Sequence, residues 1–274
     1  MCAYLIFECL GVLRLFWVWL RYSNSEQWIY RNRLIQIWWA TGLLRVGAIL
    51  FRLTFSVSGK EAIPGNSAIL LIRHASLGDT VLPLEFFSEP RNNEGVRYVI
   101  KKELRISPSL DIAAHRLNTV FVDRSGSNTQ AELERIAEIA STAPADESLM
   151  IYPEGTRVTA SKRAHLEANY PDLRPQLARW PDLLPPRLGG ISAMLTNNPG
   201  KDIVFMAHVG FEGLADLKEL LSGRSRGGCV KIHFWRVPFE QIPQNLASEL
   251  EEFIFAQWDV MQATVQKLRH SDPL

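Results

Sequence analysis

A histidine and an aspartate that could act as a general base and its orienting group lie five residues apart, at His74 and Asp79. The apolar run 69–72 precedes His74, and a short turn containing Gly78 leads to Asp79. On one continuous helix this spacing would separate the two side chains by roughly 140°. They can meet only if His74 ends a strand and Asp79 lies in the next turn, where its carboxylate can hold one imidazole nitrogen and leave the other free to take a proton. The alternative is a buried structural histidine beside an aspartate that caps a helix.

Basic side chains follow several of the other apolar runs. The run that ends at Tyr152 leads into a turn in which Gly155 lets the backbone approach a ligand closely, and Arg157 offers a planar guanidinium that can bind a phosphate through two hydrogen bonds. Lys101 and Arg124 also come directly after predicted strands. Three basic clusters at strand ends indicate one anionic ligand, and the alternative is a set of solvated surface charges.

Apolar strand patterns alternate with helical patterns from residue 55 onward. Strands are predicted near 55–59, 68–73, 96–100, 119–122, 149–152, 203–209 and 230–237, and helices near 79–88, 130–140 and 244–269. This alternation is typical of an α/β fold with a mostly parallel sheet flanked by helices. In such sheets ligands bind beyond the carboxyl ends of the strands, which is where the side chains described above are expected.

Residues 1–54 predict an N-terminal amphipathic, membrane-binding helical hairpin. The stretch 4–20 is apolar apart from Glu8 and Arg14, and the stretch 34–55 combines tryptophan with arginine. Tryptophan and arginine near helix ends are typical of helices that contact a membrane interface. The first stretch has about the minimum length for crossing a bilayer, so crossing is left open, and a hairpin buried against the domain is the alternative. The remaining residues, 55–274, form the second predicted region.

Composition limits the compartment and the partners. A formal net charge of +1 gives no reason to expect a nucleic-acid partner. Three scattered cysteines predict neither a disulfide framework nor a metal site, and their odd number fits a reducing compartment, so the domain is expected to face the cytosol. Neither a metal nor a cofactor is predicted. Glu8 interrupts the first apolar stretch, which makes a cleaved signal peptide a poor fit.

Two motifs resemble those of a known family. The stretch 74–79 resembles the H-x-x-x-x-D motif of the glycerophospholipid acyltransferases, and 152–157 resembles their [FY]-P-E-G-T-R motif. The stretches 101–104 and 121–124 resemble the block between these motifs, in the same order. The resemblance spans roughly residues 55–210 and is greatest to the 1-acylglycerol-3-phosphate acyltransferase branch. It makes 55–274 the expected acyltransferase domain.

The resemblance implies a reaction and a role for each matching residue. His74 is expected to take the proton of a glycerol hydroxyl while Asp79 orients it, and the oxygen then attacks a fatty acyl thioester without a covalent acyl-enzyme. The co-substrate is acyl-CoA or acyl-ACP, the acceptor is lysophosphatidic acid, and the product is phosphatidic acid made at a cytosolic membrane surface. The acceptor's phosphate is expected at the substrate-binding residues Glu154, Gly155, Thr156, Arg157, Lys101 and Arg124.

Several alternatives stay open. A long insertion, 158–185, is expected to act as a lid or recognition loop. The motif P-R-x-x-G follows it at 186–190, as in relatives that resemble lysocardiolipin and lysophosphatidylinositol acyltransferases, which leaves the acceptor headgroup open. A non-catalytic lipid-binding protein on the same fold is a further possibility. The G-x-S-x-G match at 223–227 lacks the strand-turn-helix context of a nucleophile. Arg73 stands where many members have Asn and could alter the phosphate site, and His208 has no motif context and is interpreted as structural or exposed.

Overall fold

The fold is taken from a computed structural model that describes residues 2–76, 78–88, 94–123, 129–212, 227–243 and 245–271. Its strands are β1 (Thr54–Ser58), β2 (Ile69–Ile72), β3 (Gly95–Lys101), β4 (Val120–Val122), β5 (Glu147–Ile151), β6 (Ile203–Val209) and β7 (Cys229–Val237). Together they form one sheet in the order β1-β7-β6-β2-β5-β3-β4. Adjacent strands run parallel except for the antiparallel pair of β6 and β7.

Helices cover both faces of this sheet. They are α1 (Cys2–Tyr22), α2 (Trp28–Phe51), α3 (Leu82–Phe87), α4 (Pro108–Arg116), α5 (Thr129–Ser141), α6 (Ala160–Asn169), α7 (Arg174–Arg179), α8 (Leu188–Thr196) and α9 (Leu246–His270). The predicted α/β class, with a mostly parallel sheet flanked by helices, is confirmed.

The central strand β2 is apolar throughout because helices cover it on both faces. Ile69 and Leu71 point into the core beneath α5, α8 and α9, whereas Leu70 and Ile72 point into the core on the side of α2 and α3. A strand that helices cover on both faces needs apolar side chains at every position, because successive side chains point to opposite faces. The strand therefore ends at the first polar residues, which begin the candidate site.

The insertion 158–185 is not an open loop. It contains α6 and α7, and its last part is anchored in the core, where Trp180 and Leu183 are fully buried. The Trp180 indole Nε1 donates a hydrogen bond to Asp259 of α9 (2.8 Å), and the indole Nε1 of Trp258 donates to the Leu184 carbonyl (3.0 Å). The expectation of a lid is therefore wrong for this part of the insertion, which forms a fixed wall beside the sheet.

One face of the N-terminal hairpin packs on the domain. The Glu8 carboxylate of α1, which the sequence presents as a costly charge in an apolar stretch, is buried and accepts hydrogen bonds from the hydroxyls of Ser107 (2.8 Å) and Ser109 (2.9 Å) and from the Ser109 N–H (3.2 Å). These groups form the N-terminus of α4, where the helix dipole stabilises a negative charge. Glu8 therefore fixes α1 to the domain.

The other face of the hairpin is apolar and exposed. Residues 3–22 and 28–51 are each long and apolar enough to cross a membrane, by length and composition. Their exposed large apolar side chains are Tyr4, Leu5, Ile6, Leu10, Leu13, Phe16, Trp17, Trp19, Leu20, Ile49 and Leu50. We call this set the apolar face of the hairpin.

Candidate active site

The two motifs meet at the carboxyl ends of β2 and β5, which are neighbours in the sheet with Leu70 opposite Met150. The backbone N–H of His74 donates to Oε2 of Glu154 (2.6 Å), and the N–H of Val158 donates to the His74 carbonyl (2.8 Å). The turn after one strand is thus bonded to the turn after the other. The sequence predicts this meeting correctly.

His74 and Asp79 form the predicted pair. Asp79 lies in a 3-10 turn, Gly78–Val81, and its Oδ1 is 3.0 Å from Nδ1 of His74. Its Oδ2 accepts hydrogen bonds from the backbone N–H groups of Ala75 (2.7 Å) and Ser76 (2.8 Å). Asp79 is fully buried, whereas the His74 side chain is 13% exposed. The pair therefore holds Nδ1 in place and leaves Nε2, which has no hydrogen bond to any described residue, as the nitrogen that can accept a proton.

The surroundings keep Asp79 ionised. Burial raises the pKa of its carboxyl, but the charge on His74 and the hydrogen bonds from His208 and His74 outweigh that effect, so the pKa lies well below its usual range. The Tyr152 ring stacks on the His74 imidazole with 4.0 Å between ring centres, and its hydroxyl donates to the Asp79 carbonyl (3.3 Å). Burial raises the pKa of Tyr152 well above its ordinary value, so this hydroxyl stays protonated.

Glu154 links three segments of the site. Its side chain is buried, with Oε1 accepting from the Leu184 N–H (3.1 Å) and Oε2 accepting from the His74 N–H. Burial raises the pKa of this carboxyl to about 8, although the charge of Arg73 and the two backbone hydrogen bonds act in the opposite direction. The contacts of Glu154 join the two catalytic turns to the end of the insertion, and its predicted part in substrate binding stays a prediction.

The raised pKa of Glu154 predicts that stability falls with pH. In the unfolded chain the Glu154 carboxyl has its ordinary pKa of 4.5 and loses its proton above that pH, whereas in the folded protein the pKa of about 8 keeps the proton bound up to about pH 8. The folded state then binds more protons, so the free energy of unfolding decreases as pH rises through this window. Asp79 is ionised in both states there and adds no slope. We expect Tm to fall between about pH 5.5 and pH 8, and Glu154→Gln to remove this part of the fall. An equal fall in the variant would contradict it.

The remaining predicted residues lie around the turn after β5. Gly155 adopts a φ of 70°, and its N–H donates to the Tyr152 carbonyl (2.9 Å). A side chain at this φ would be strained, which explains the glycine. The Thr156 hydroxyl accepts a hydrogen bond from Nζ of Lys162 (2.7 Å), and that amine also donates to the Arg157 carbonyl (3.2 Å). Arg157 is half-buried in this turn, and the next residue, Val158, is the one whose N–H donates to the His74 carbonyl.

A groove of about 480 Å³ opens beside this turn. Three predicted residues, Lys101, Glu154 and Thr156, line it together with Lys162 and Arg187 from the insertion side. Leucine, proline and tyrosine side chains form most of its other walls, together with His165 and Gln176. Basic groups beside apolar walls suit an amphiphile with an anionic headgroup. Arg124 and most of the 223–227 motif lie outside the described residues.

The sequence interpretation did not place His208, near the end of β6, in the site, and it gave Arg73, directly after β2, another role. His208 is fully buried, with Nε2 2.8 Å from the Arg73 carbonyl and 3.4 Å from Oδ2 of Asp79. Arg73 is 1% exposed and donates to the His208 carbonyl (2.5 Å) and to Glu212 (2.9 Å). Arg73 is not among the residues that line the groove, so the idea that it alters the phosphate site gains no support. The available signal was a polar residue near the end of the apolar run 203–209, since the carboxyl ends of parallel strands share an edge.

Known proteins share the family and the fold of this chain. The family model described as Acyltransferase matches residues 54–197. The structure is similar to the crystal structure of the 1-acyl-sn-glycerophosphate (LPA) acyltransferase, PlsC, from Thermotoga maritima, with a TM-score of 0.58 and 17% identity over 98% of this chain and 97% of that chain. At this identity the likeness shows the shared fold. A search of curated proteins gave no match.

Proposed function

The chain belongs to the acyltransferase family, and from this premise we propose that it moves a fatty acyl group from acyl-CoA or acyl-ACP to the free hydroxyl of lysophosphatidic acid, giving phosphatidic acid. The observation that carries the proposal is the His74–Asp79 pair, bonded to the turn that holds Glu154 and Arg157. The fold is also that of an enzyme described as acting on this acceptor.

The proposed chemistry needs one base and no enzyme nucleophile. Nε2 of His74 takes the proton from the acceptor hydroxyl as the oxygen attacks the thioester carbonyl carbon. The tetrahedral intermediate then expels the thiolate, which recovers the proton from the imidazolium. Asp79 stabilises that imidazolium through Nδ1 and fixes the ring tautomer, as a buried carboxylate does in other base-orienter pairs.

The acceptor's phosphate is assigned to the basic side of the groove. Lys101 and Thr156 line the groove directly, and Arg157 follows Thr156 in the same turn. Glu154 lines the groove and also accepts the hydrogen bond from the His74 N–H. A phosphate bound in the groove would therefore be close to the turn that carries His74. Charge-assisted hydrogen bonds to the phosphate would fix the glycerol hydroxyl near Nε2.

The number of basic groups around the groove favours a second candidate acceptor. A volume of about 480 Å³ is in the range that holds a whole small molecule. Lys162 and Arg187 add basic groups beyond the predicted phosphate residues. A lysophospholipid with a larger anionic headgroup, of the lysocardiolipin or lysophosphatidylinositol kind, is therefore the alternative substrate.

The two acceptors are separated by assaying transfer from acyl-CoA and acyl-ACP to a panel of lysolipids. We expect transfer to lysophosphatidic acid, and we expect Arg157→Gln to raise its KM by about tenfold or more because a charge-assisted contact is lost. Arg135→Gln, an exposed arginine of α5, is the matched control. Transfer only to larger lysolipids would support the alternative, and no transfer with intact lipid binding would support a non-catalytic protein.

Membrane association is assigned to the apolar face of the hairpin. Its side chains are exposed although they are large and apolar, and tryptophan is prominent among them. Such a surface is typical of a protein that contacts lipid. Acceptor and product are both lipids, so a site beside a bilayer has direct access to them. A catalytic domain on the cytosolic side is part of this proposal.

Replacing Leu13 or Trp17 with glutamate is expected to weaken vesicle binding by about tenfold or more. The two side chains lie one turn apart on the apolar face and are 63% and 56% exposed. Each would lose about 1.5–3 kcal/mol of apolar burial in the lipid, and a charge adds to the loss. Co-sedimentation with phospholipid vesicles measures the change. Val260→Glu, on an exposed position of α9, is the control, and equal losses in all three variants would contradict the assignment.

A further inference from the structure

We propose that His208 is a positioning residue for the catalytic pair, which holds the Asp79 carboxylate in the orientation that His74 needs. The inference rests on the proposed function, since it assigns a role within that same site. His208 has no motif context and lies on β6, far along the chain from both partners.

The contacts of the ring determine how it can act. Nε2 of His208 faces two acceptors, the Arg73 carbonyl at 2.8 Å and Oδ2 of Asp79 at 3.4 Å. Because neither acceptor carries a proton to give, Nε2 must carry one and donate it. Nδ1 has no hydrogen-bond partner among the described residues. The ring therefore acts through Nε2 alone, as a donor toward the back of the catalytic carboxylate.

A reciprocal pair of hydrogen bonds fixes the position of that ring. His208 donates to the Arg73 carbonyl, and Nη1 of Arg73 donates to the His208 carbonyl (2.5 Å). Nη1 of Arg73 also bonds Oε1 of Glu212 (2.9 Å), while Oε2 of Glu212 accepts from the Gly210 N–H (2.7 Å). These bonds join the ends of β2 and β6 immediately before His74. Among the described residues, Arg73, Asp79 and Glu212 are thus the charged groups that face His208.

The Asp79 carboxylate is then fully coordinated. Oδ1 bonds His74, while Oδ2 takes the N–H groups of Ala75 and Ser76 and approaches Nε2 of His208. A carboxylate has about four acceptor sites, so these donors determine its rotation. Removing His208 would let the carboxylate tilt on its two remaining backbone donors. A tilt weakens the bond from Oδ1 to His74 and so stabilises the imidazolium less.

This role predicts two linked changes in His208→Ala. We expect kcat to fall by about 10- to 100-fold, because a small misplacement of the base has effects of this size, with KM for the acceptor within about threefold of the wild type. The acid limb of the kcat/KM profile should move to lower pH, since a less stabilised imidazolium gives up its proton more readily. His208→Gln keeps an N–H donor near the position of Nε2 and should recover most of the activity and the wild-type limb.

The controls separate positioning from packing. His115→Ala, at an exposed histidine of α4, should change neither kcat nor the limb. A purely structural role would lower Tm and the active fraction of both His208 variants together and leave the limb in place, which would overturn the proposal. An acid limb that moves to higher pH would also overturn it.

The inference can be tested even if the proposed function fails. An NMR titration of the His74 ring, in the wild type and in both His208 variants without substrate, follows the same imidazolium. A shift to lower pH in His208→Ala that His208→Gln reverses supports the positioning role, and its absence overturns it. A wild type that transfers no acyl group to any lysophospholipid overturns only the proposed function.

Discussion

Replacing His74 with alanine is expected to lower kcat for acyl transfer by about 100- to 10,000-fold, the usual contribution of a positioned general base. Nδ1 of His74 is held by a buried carboxylate and the side chain is 13% exposed, which leaves Nε2 to take the proton. KM for the acceptor should change little, because the proposed function assigns the phosphate to other residues. Steady-state assays with lysophosphatidic acid and acyl-CoA measure both constants, with His115→Ala as the matched histidine control.

Asp79→Asn is expected to cause a loss of comparable size for a specific reason. Two backbone N–H groups donate to Oδ2 of Asp79. In the variant the single side-chain oxygen of asparagine would accept from them, and its NH₂ group would face Nδ1 of His74. That amide donates, so Nδ1 would have to accept and Nε2 would carry the ring proton, which leaves no base. The double variant should be no worse than His74→Ala alone, because the two residues act as one unit. Activity of the His74→Ala variant within about tenfold of the wild type would exclude His74 as the base.

The sequence is sufficient to predict the site where the parallel direction of the strands determines it. In a parallel α/β sheet the turns after the strands share one edge, so the turns beginning at His74 and Pro153 had to lie on the same side wherever their strands fell in the sheet. The polar residues that end β2 and β5 carried this information. The five-residue spacing of His74 and Asp79 gave their contact, because only a turn brings such a pair together.

The sequence alone could not give the partners of His208. It lies 135 residues from Arg73, and its role depends on β6 lying beside β2, which the order of strands along the chain does not give. A histidine in an apolar strand is most simply a core residue. Glu8 shows the same difficulty, since its charge is unfavourable in an apolar helix until its partners at the start of α4 are known.

The prolines of the insertion are compatible with helices. Pro171 and Pro175 each lie in the first turn of a short helix, where the missing N–H of proline costs no hydrogen bond. The burial of Trp180 in the core depends on contacts with α9, about eighty residues further along the chain. The composition of the segment indicates which of its residues are exposed, but it does not show that Trp180 fixes the segment to α9.

Replacing Glu147 with glutamine is expected to destabilise the protein by about 3–5 kcal/mol, as when one partner of a buried ion pair is removed. The Glu147 carboxylate lies between two guanidinium groups, accepting from Nη2 of Arg33 and from Nε of Arg97, and all three side chains are less than a tenth exposed. Without this charge Arg97 keeps a hydrogen bond to Thr142 (3.4 Å), a weak replacement. Thermal unfolding should show Tm lower by roughly 6–20 °C, at about 2–4 °C per kcal/mol for a domain of this size.

This cluster also tests whether residues 1–54 and 55–274 are separate units, a division that stays a prediction. Arg33 belongs to α2, whereas Glu147 and Arg97 belong to β5 and β3, so the charges cross that boundary. Arg33→Met should lower Tm less than Glu147→Gln, because Glu147 keeps Arg97, and both variants should unfold in one transition if hairpin and sheet are one cooperative unit. Glu138→Gln, at an exposed position of α5, should change stability by no more than about 0.5 kcal/mol. Two separate transitions in Arg33→Met, with the later one at the wild-type Tm, would instead mean that the sheet folds independently and that the hairpin is held to it chiefly by the ion pairs of Arg33.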